Sequence, residues 1–171
     1  MLFSWLRSPK PSSKRRAPYR PALESLDSRI VPSGNPHFIK NLVTSTVNDA
    51  GALVVDFKES GLPSGAVETI TLSTTASATY AYINNGGNHP QADNKETVVA
   101  MLSTSGQFTA DQNGNIVGEL IISPPPATIS PNVPGQTLVL ANVSYAGSSL
   151  TDSTSGAFIT VPFASRTFFV V

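Results

Sequence analysis

Between Asn84 and Lys95 the chain gathers Asn84, Asn85, Asn88, His89, Asp93 and Asn94 around two adjacent glycines. Any site in this sequence is expected there. Amide side chains carry paired donors and acceptors that suit sugar hydroxyls or a peptide backbone, and Tyr80 and Tyr82 stand just before them as rings for stacking. The same composition also describes a turn, because Asn and Gly tolerate left-handed backbone angles and Asn side chains cap local amides. The turn is the stronger reading, and recognition by Tyr80, Tyr82, Asn84, Asn85, Asn88, His89 and Asp93 stands beside it.

Other chemistries fare worse. Asp111-Gln112-Asn113-Gly114-Asn115 offers calcium-type oxygens, but the sixth and twelfth positions of an EF-hand loop are Ile116 and Ile122 here. An Asn-Gly hairpin turn accounts for the segment, with Glu119 outward on the following strand. His37 and His89 are too far apart in sequence for a zinc motif, and zero cysteines remove thiolate, disulfide and Cys-ligated metal chemistry together. There is no Gly-x-Ser-x-Gly elbow, no justified carboxylate pair and no phosphate-cradling loop before a helix. The chain is expected to be no enzyme and to need no metal or cofactor.

Charge divides the molecule. Of 171 residues, the first 34 hold seven basic side chains against two acidic, and the remainder hold four against nine. An acidic body repels phosphates, so nucleic-acid binding is set aside. Residues 1–34 are basic, Pro-rich and Ser-rich, which predicts a disordered arm. Its apolar start, Met1–Trp5, is too short and precedes the basic residues, unlike a conventional signal peptide. Leu120–Thr151 carries no charge, yet Pro, Ser, Asn and Gly break it, so no transmembrane segment is expected.

The body must then supply the elements. Residues 35–50 read as a linker or first edge strand, and 51–171 as one domain. Ala52–Lys58 reads as a strand and Glu59–Gly65 as a loop. From Val67 to Asn84 the even positions Ile70, Leu72, Ala76, Ala78, Tyr80 and Tyr82 are apolar between Thr and Ser, the period of a half-buried strand. Val98–Leu102 is continuously apolar, which predicts a strand covered on both faces. Gln107–Ala110 and Asn115–Ser123 flank Asp111–Gly114 as a hairpin. Five prolines make Ser123–Gly135 a crossover between sheets. Thr137–Ala146, Ser149–Asp152, Ala157–Val161 and Arg166–Val171 complete about eight or nine strands with no helix. The spacing predicts an all-β, immunoglobulin-like antiparallel sandwich, a barrel being the other option. The apolar end at Arg166–Val171 reads as a final core strand, or as an exposed one that pairs with another chain.

Two resemblances add to this. Leu23, Glu24, Leu26, Asp27, Arg29 and Pro32, after a basic stretch, resemble the LEPR-XLL-like sorting segment of planctomycete surface and secreted proteins, with Asp27 where Glu is usual. The match covers residues 14–34 and implies contact with export machinery. Leu23, Leu26 and Ile30 also share a helical spacing that Pro32 ends. Second, Phe57-Lys58-Glu59-Ser60-Gly61-Leu62, Ala78-Thr79-Tyr80, Asn84-Asn85-Gly86-Gly87-Asn88-His89-Pro90, Asn94-Lys95-Glu96-Thr97 and Val143-Ser144-Tyr145 resemble an uncharacterised family of small secreted bacterial β-proteins. The resemblance spans residues 52–170 and implies fold and address only. Where those relatives often carry cysteines, this chain has Tyr82 and Val133.

The expectation is a secreted or cell-surface β-sandwich with a structural or interaction role, its partner an envelope or matrix component or a second copy. The alternative is a small carbohydrate-binding module using the Asn84–Lys95 loop.

Overall fold

Alternation of apolar and hydroxyl side chains drives the first long element, and the chain builds outward from it. In the computed structural model, which describes residues 34–84, 95–129 and 135–170, nine strands run in chain order. They are β1 (His37–Phe38), β2 (Thr44–Val47), β3 (Leu53–Ser60), β4 (Val67–Asn84), β5 (Lys95–Thr109), β6 (Asn115–Ile122), β7 (Gln136–Asp152), β8 (Phe158–Thr160) and β9 (Ala164–Thr167). A single 3-10 turn, Lys40–Leu42, separates β1 from β2. Among the described residues, no helix is long and apolar enough to cross a membrane.

All pairings are antiparallel. In the four-stranded sheet β3 is central: β6 pairs along its whole length, and β1 and β2 share its other edge end to end. In the five-stranded sheet the order is β5-β4-β7, with β8 and β9 sharing the far edge of β7. The two sheets pack face to face as a β-sandwich. Leu53, Val55, Phe57, Ile116, Leu120 and Ile122 from one sheet meet Ile70, Leu72, Ala76, Ala78, Val143, Tyr145 and Leu150 from the other. Phe57 stands edge-on to both Phe38 and Phe108, with ring centroids 5.9 and 5.2 Å apart. The Tyr145 hydroxyl donates across the core to the Gly51 carbonyl at 2.7 Å. At one side the sheets are also tied by Arg166, which bonds the Val47 carbonyl and pairs with Asp49 at 2.7 Å.

Several expectations change against this frame. Val98–Leu102 is not covered on both faces. It lies in β5, an edge strand, and its alternate residues Val99 and Met101 are 64% and 88% exposed. A continuous apolar run does not distinguish a central strand from an edge whose outer face is open. Asp111–Gly114 forms the expected tight turn: Asp111 Oδ1 accepts the Asn113 and Asn115 amides at 2.8 and 2.9 Å. Gly114 takes φ +72° there, with the Leu62 carbonyl where a Cβ would sit. The turn, however, joins strands of opposite sheets, since β5 pairs β4 while β6 pairs β3. It is a corner, not a hairpin. Strand β3 runs on through Glu59 and Ser60, so the expected loop begins at Gly61. The two segments read between Thr137 and Asp152 are one strand, β7. The last strand is Ala164–Thr167 and not Arg166–Val171. Residues 35–50 hold β1 and β2, and the described part of Ser123–Gly135 carries the chain from β6 in one sheet toward β7 in the other.

Strand length positions everything that follows. At ~3.4 Å per residue β4 spans about 60 Å, roughly twice the reach of the eight-residue β3. The larger sheet therefore overhangs the smaller, and residues 123–129 of the crossover bond side chains of β4 and β5. Tyr80 donates to the Pro125 carbonyl at 2.6 Å. The Glu96 carboxylate accepts the Thr128 and Ile129 amides at 2.8 and 3.0 Å and also the Thr128 hydroxyl.

Candidate interaction face

The outer face of the five-stranded sheet is built from the odd positions of β4 and their register partners. Thr71 stands between Ser105 on β5 and Thr151 on β7, with Phe158 of β8 beyond. Ser73 stands between Ser103 and Ser149, with Thr160 beyond. Thr75 lies between Met101 and Ala146. Ser77 stands between Val99 and Ser144, then Ser165 of β9, and Thr79 between Thr97 and Asn142, then Thr167. Each of these positions is exposed or half-buried, and none carries a charge. Hydroxyls meet across the strands, Thr71 with Ser105 at 2.8 Å and Thr79 with Thr97 at 3.0 Å.

A depression interrupts this face. Between Ser73 and Thr75 the β4–β7 register shifts, because β7 inserts Gly147 and Ser148 opposite Thr74 alone. Gly147 takes φ +62°, which a side chain rarely adopts, and the buried hydroxyls of Thr74 and Ser148 bond at 2.7 Å. The bulge opens a hollow of about 310 Å³ on the outer face, lined by Ser73, Thr75, Met101, Ser103 and Gly147 among others.

The residues singled out from the sequence sit elsewhere. Tyr80 is half-buried and Tyr82 buried, since their even positions turn them to the inner face, where the Tyr80 hydroxyl bonds Pro125 of the crossover. Buried Tyr82 offers no open ring, so the stacking role expected of it is corrected, while Tyr80 is half-buried with its hydroxyl engaged. Asn84 closes β4. Asn85, Asn88, His89 and Asp93 lie outside the described residues, as do Leu23, Glu24, Leu26, Asp27, Arg29 and Pro32 of the sorting segment. His37 Nδ1 lies 2.8 Å from the Asn35 carbonyl at the surface. Among the described residues no set of three His, Asp or Glu side chains is arranged to hold a metal ion.

One cluster escaped the sequence reading. Glu59 at the end of β3, Glu68 near the start of β4 and Asp152 at the end of β7 are all buried where the two sheets meet. Ser155 donates to Asp152 Oδ2 at 2.5 Å and lies 3.2 Å from Glu59 Oε1, while Thr154 gives its amide to Asp152 at 2.8 Å. Burial first, and then the Asp152 charge, push the Glu59 carboxyl up to about 7 and raise Glu68 as well. Burial also opposes charge on Asp152, but donors from Ser155 and Thr154 outweigh it and hold that group low. Below about pH 7 the proton thus stays on Glu59, beside an Asp152 carboxyl held low. The three carboxyls are buried, and the half-buried Ser155 joins two of them. The cluster's signal was present: Glu68 occupies an even position of β4, in phase with the core residues.

Comparison with protein-family models, curated proteins and solved structures finds no match to this chain.

Proposed function

We propose that this chain is an exported, non-enzymatic β-sandwich module with a structural or interaction role at the cell surface, residues 1–34 serving its sorting. The observation that supports this reading is the outer face of the larger sheet, five rows of mostly hydroxyl side chains without a charge. Such a face gives anionic nucleic acid nothing to bind. It suits neutral partners, such as envelope or matrix polymers, whose own hydroxyls and amides exchange hydrogen bonds with Ser and Thr.

The test is fractionation and protease accessibility of a C-terminally tagged protein with and without residues 1–34. The intact form is expected outside and the truncated form inside. Isolated envelope should retain the purified body, and Ser73→Lys with Thr75→Lys, both exposed, should lower retention at least tenfold. Both forms remaining inside the cell would overturn the reading. Retention on a soluble glycan array, unaffected by the two lysines, would move recognition to the Asn84–Lys95 loop.

A further inference from the structure

The free edge of β5 is unlike the other edges of the sandwich. Strands β1 and β2 are interrupted by a 3-10 turn, β8 and β9 have three and four residues, and β6 carries Glu119 at its centre. Such interruptions and charges are the usual devices that keep edges from pairing. Strand β5 has 15 residues, pairs with β4 on one side and, among the described residues, with no strand on the other. From Thr97 to Thr109 it holds no charge and no proline. Apolar side chains occupy both of its faces: Val99 and Met101 are exposed outside, and Val98, Ala100 and Leu102 are only half-buried inside. An edge with unpaired amides and carbonyls asks for a strand, and a half-covered apolar row asks that the strand be apolar as well.

We infer that β5 pairs with β5 of a second copy, antiparallel about a two-fold axis at Ala100, joining two five-stranded sheets into one of ten. The register follows from the sequence. Faces are preserved only when a residue opposes its own counterpart at the axis. Centring on Ala100 sets Val98 against Leu102 of the second copy, Val99 against Met101, and Thr97 against Ser103. Centring on Val99 or Met101 opposes apolar to polar residues at several positions. Charged Lys95 and Glu96 precede the uncharged run that starts at Thr97, whose counterpart about the axis is Ser103, so the paired span is Thr97–Ser103. The two-fold also makes the contact isologous and closed, which yields a dimer and not a fibre.

This inference is independent of where the protein resides, and purified full-length chain tests it. Sedimentation equilibrium at micromolar concentration is expected to give twice the chain mass of 17.9 kDa. Because the chain lacks cysteine, single thiols report the register without interference. Ala100→Cys brings two thiols face to face at a separation a disulfide spans, and should cross-link nearly completely under mild oxidation. Ser103→Cys, whose counterpart is Thr97, should remain uncross-linked. Lysines at Val99 and Met101, both exposed, should give the single-chain mass with an unchanged circular dichroism spectrum, while Val117→Lys on the opposite sheet stays dimeric. A wild-type monomer would overturn the inference, as would a dimer that survives the two lysines. Equal cross-linking at positions 100 and 103 would do the same.

Discussion

Glu59 is the residue whose chemistry is most displaced by the fold. In the unfolded chain its carboxyl ionises near pH 4.5, and in the folded protein near 7. Between those values the folded state holds a proton that the unfolded state has released. Stability contributed by this group is therefore complete below about pH 4.5, falls as pH rises to about 7, and is level above it. The interval corresponds to roughly 3 kcal/mol. The melting temperature should accordingly be several degrees higher at pH 5 than at pH 8. Glu59→Gln keeps the shape and removes the ionisation, so it should raise stability at pH 8 and flatten most of that slope. Melting curves of the two proteins across this range decide the matter: an unaltered slope in the variant would place the responsible proton elsewhere. Asp152 acts in the opposite sense. Its carboxyl is held low, so its contribution is present above about pH 4 and lost on acidification.

Among the elements, the overhanging ends of β4 and β5 are tied to the crossover by Tyr80 and by a clasp at Glu96. In the described part of the proline-rich crossover, Pro125, Thr128 and Ile129 find backbone partners in side chains of these strands. Glu96 satisfies two of its amides and one hydroxyl at once. Those donors hold the Glu96 carboxyl below the usual carboxylate range, so the clasp persists in mild acid. Glu96→Ala should leave the strands in place and release the crossover. Hydrogen exchange read by NMR is the measurement, with the Thr128 and Ile129 amides expected to exchange at least tenfold faster and those of β3 and β6 unchanged. Unchanged protection at Thr128 would mean that the Tyr80 bond to Pro125 and apolar contacts hold the crossover without Glu96.

On the scale of the whole molecule, Tyr145 fastens one sheet to the other. It is wholly buried, donates to Gly51 at 2.7 Å, and has the Ile122 carbonyl 3.4 Å away. Burial pushes its phenol up to about 12, so the bond is intact throughout the ordinary pH range. Tyr145→Phe keeps the ring and strands the acceptor, a loss of about 1–2 kcal/mol. Urea unfolding should show that loss equally at pH 5 and pH 8, in contrast to the pH-dependent effect of Glu59→Gln. A cost that varied with pH would tie the two groups together.

The sequence alone determined the features that rest on local period and local turn chemistry. Val67–Asn84 is one strand with even positions inward, because side chains alternate with a period of two regardless of what the strand meets. Asp111–Gly114 is a tight turn, because an Asx side chain and a left-handed glycine close it without help. All-β character followed from the same patterns. Tertiary structure decided which strand pairs with which, and the consequences were large. Asn115–Ile122 joins β3, some 60 residues earlier, and not its chain neighbour β5, which leaves β5 at an edge with Val99 and Met101 in the open. Tyr80 bonds a segment more than 40 residues away, and three carboxyls from three strands are buried together. Periodicity states that a residue faces one side or the other. Only the packing of distant segments states what lies on that side, and for this chain that difference moves the candidate surface from the tyrosines to the hydroxyl-bearing face of the larger sheet.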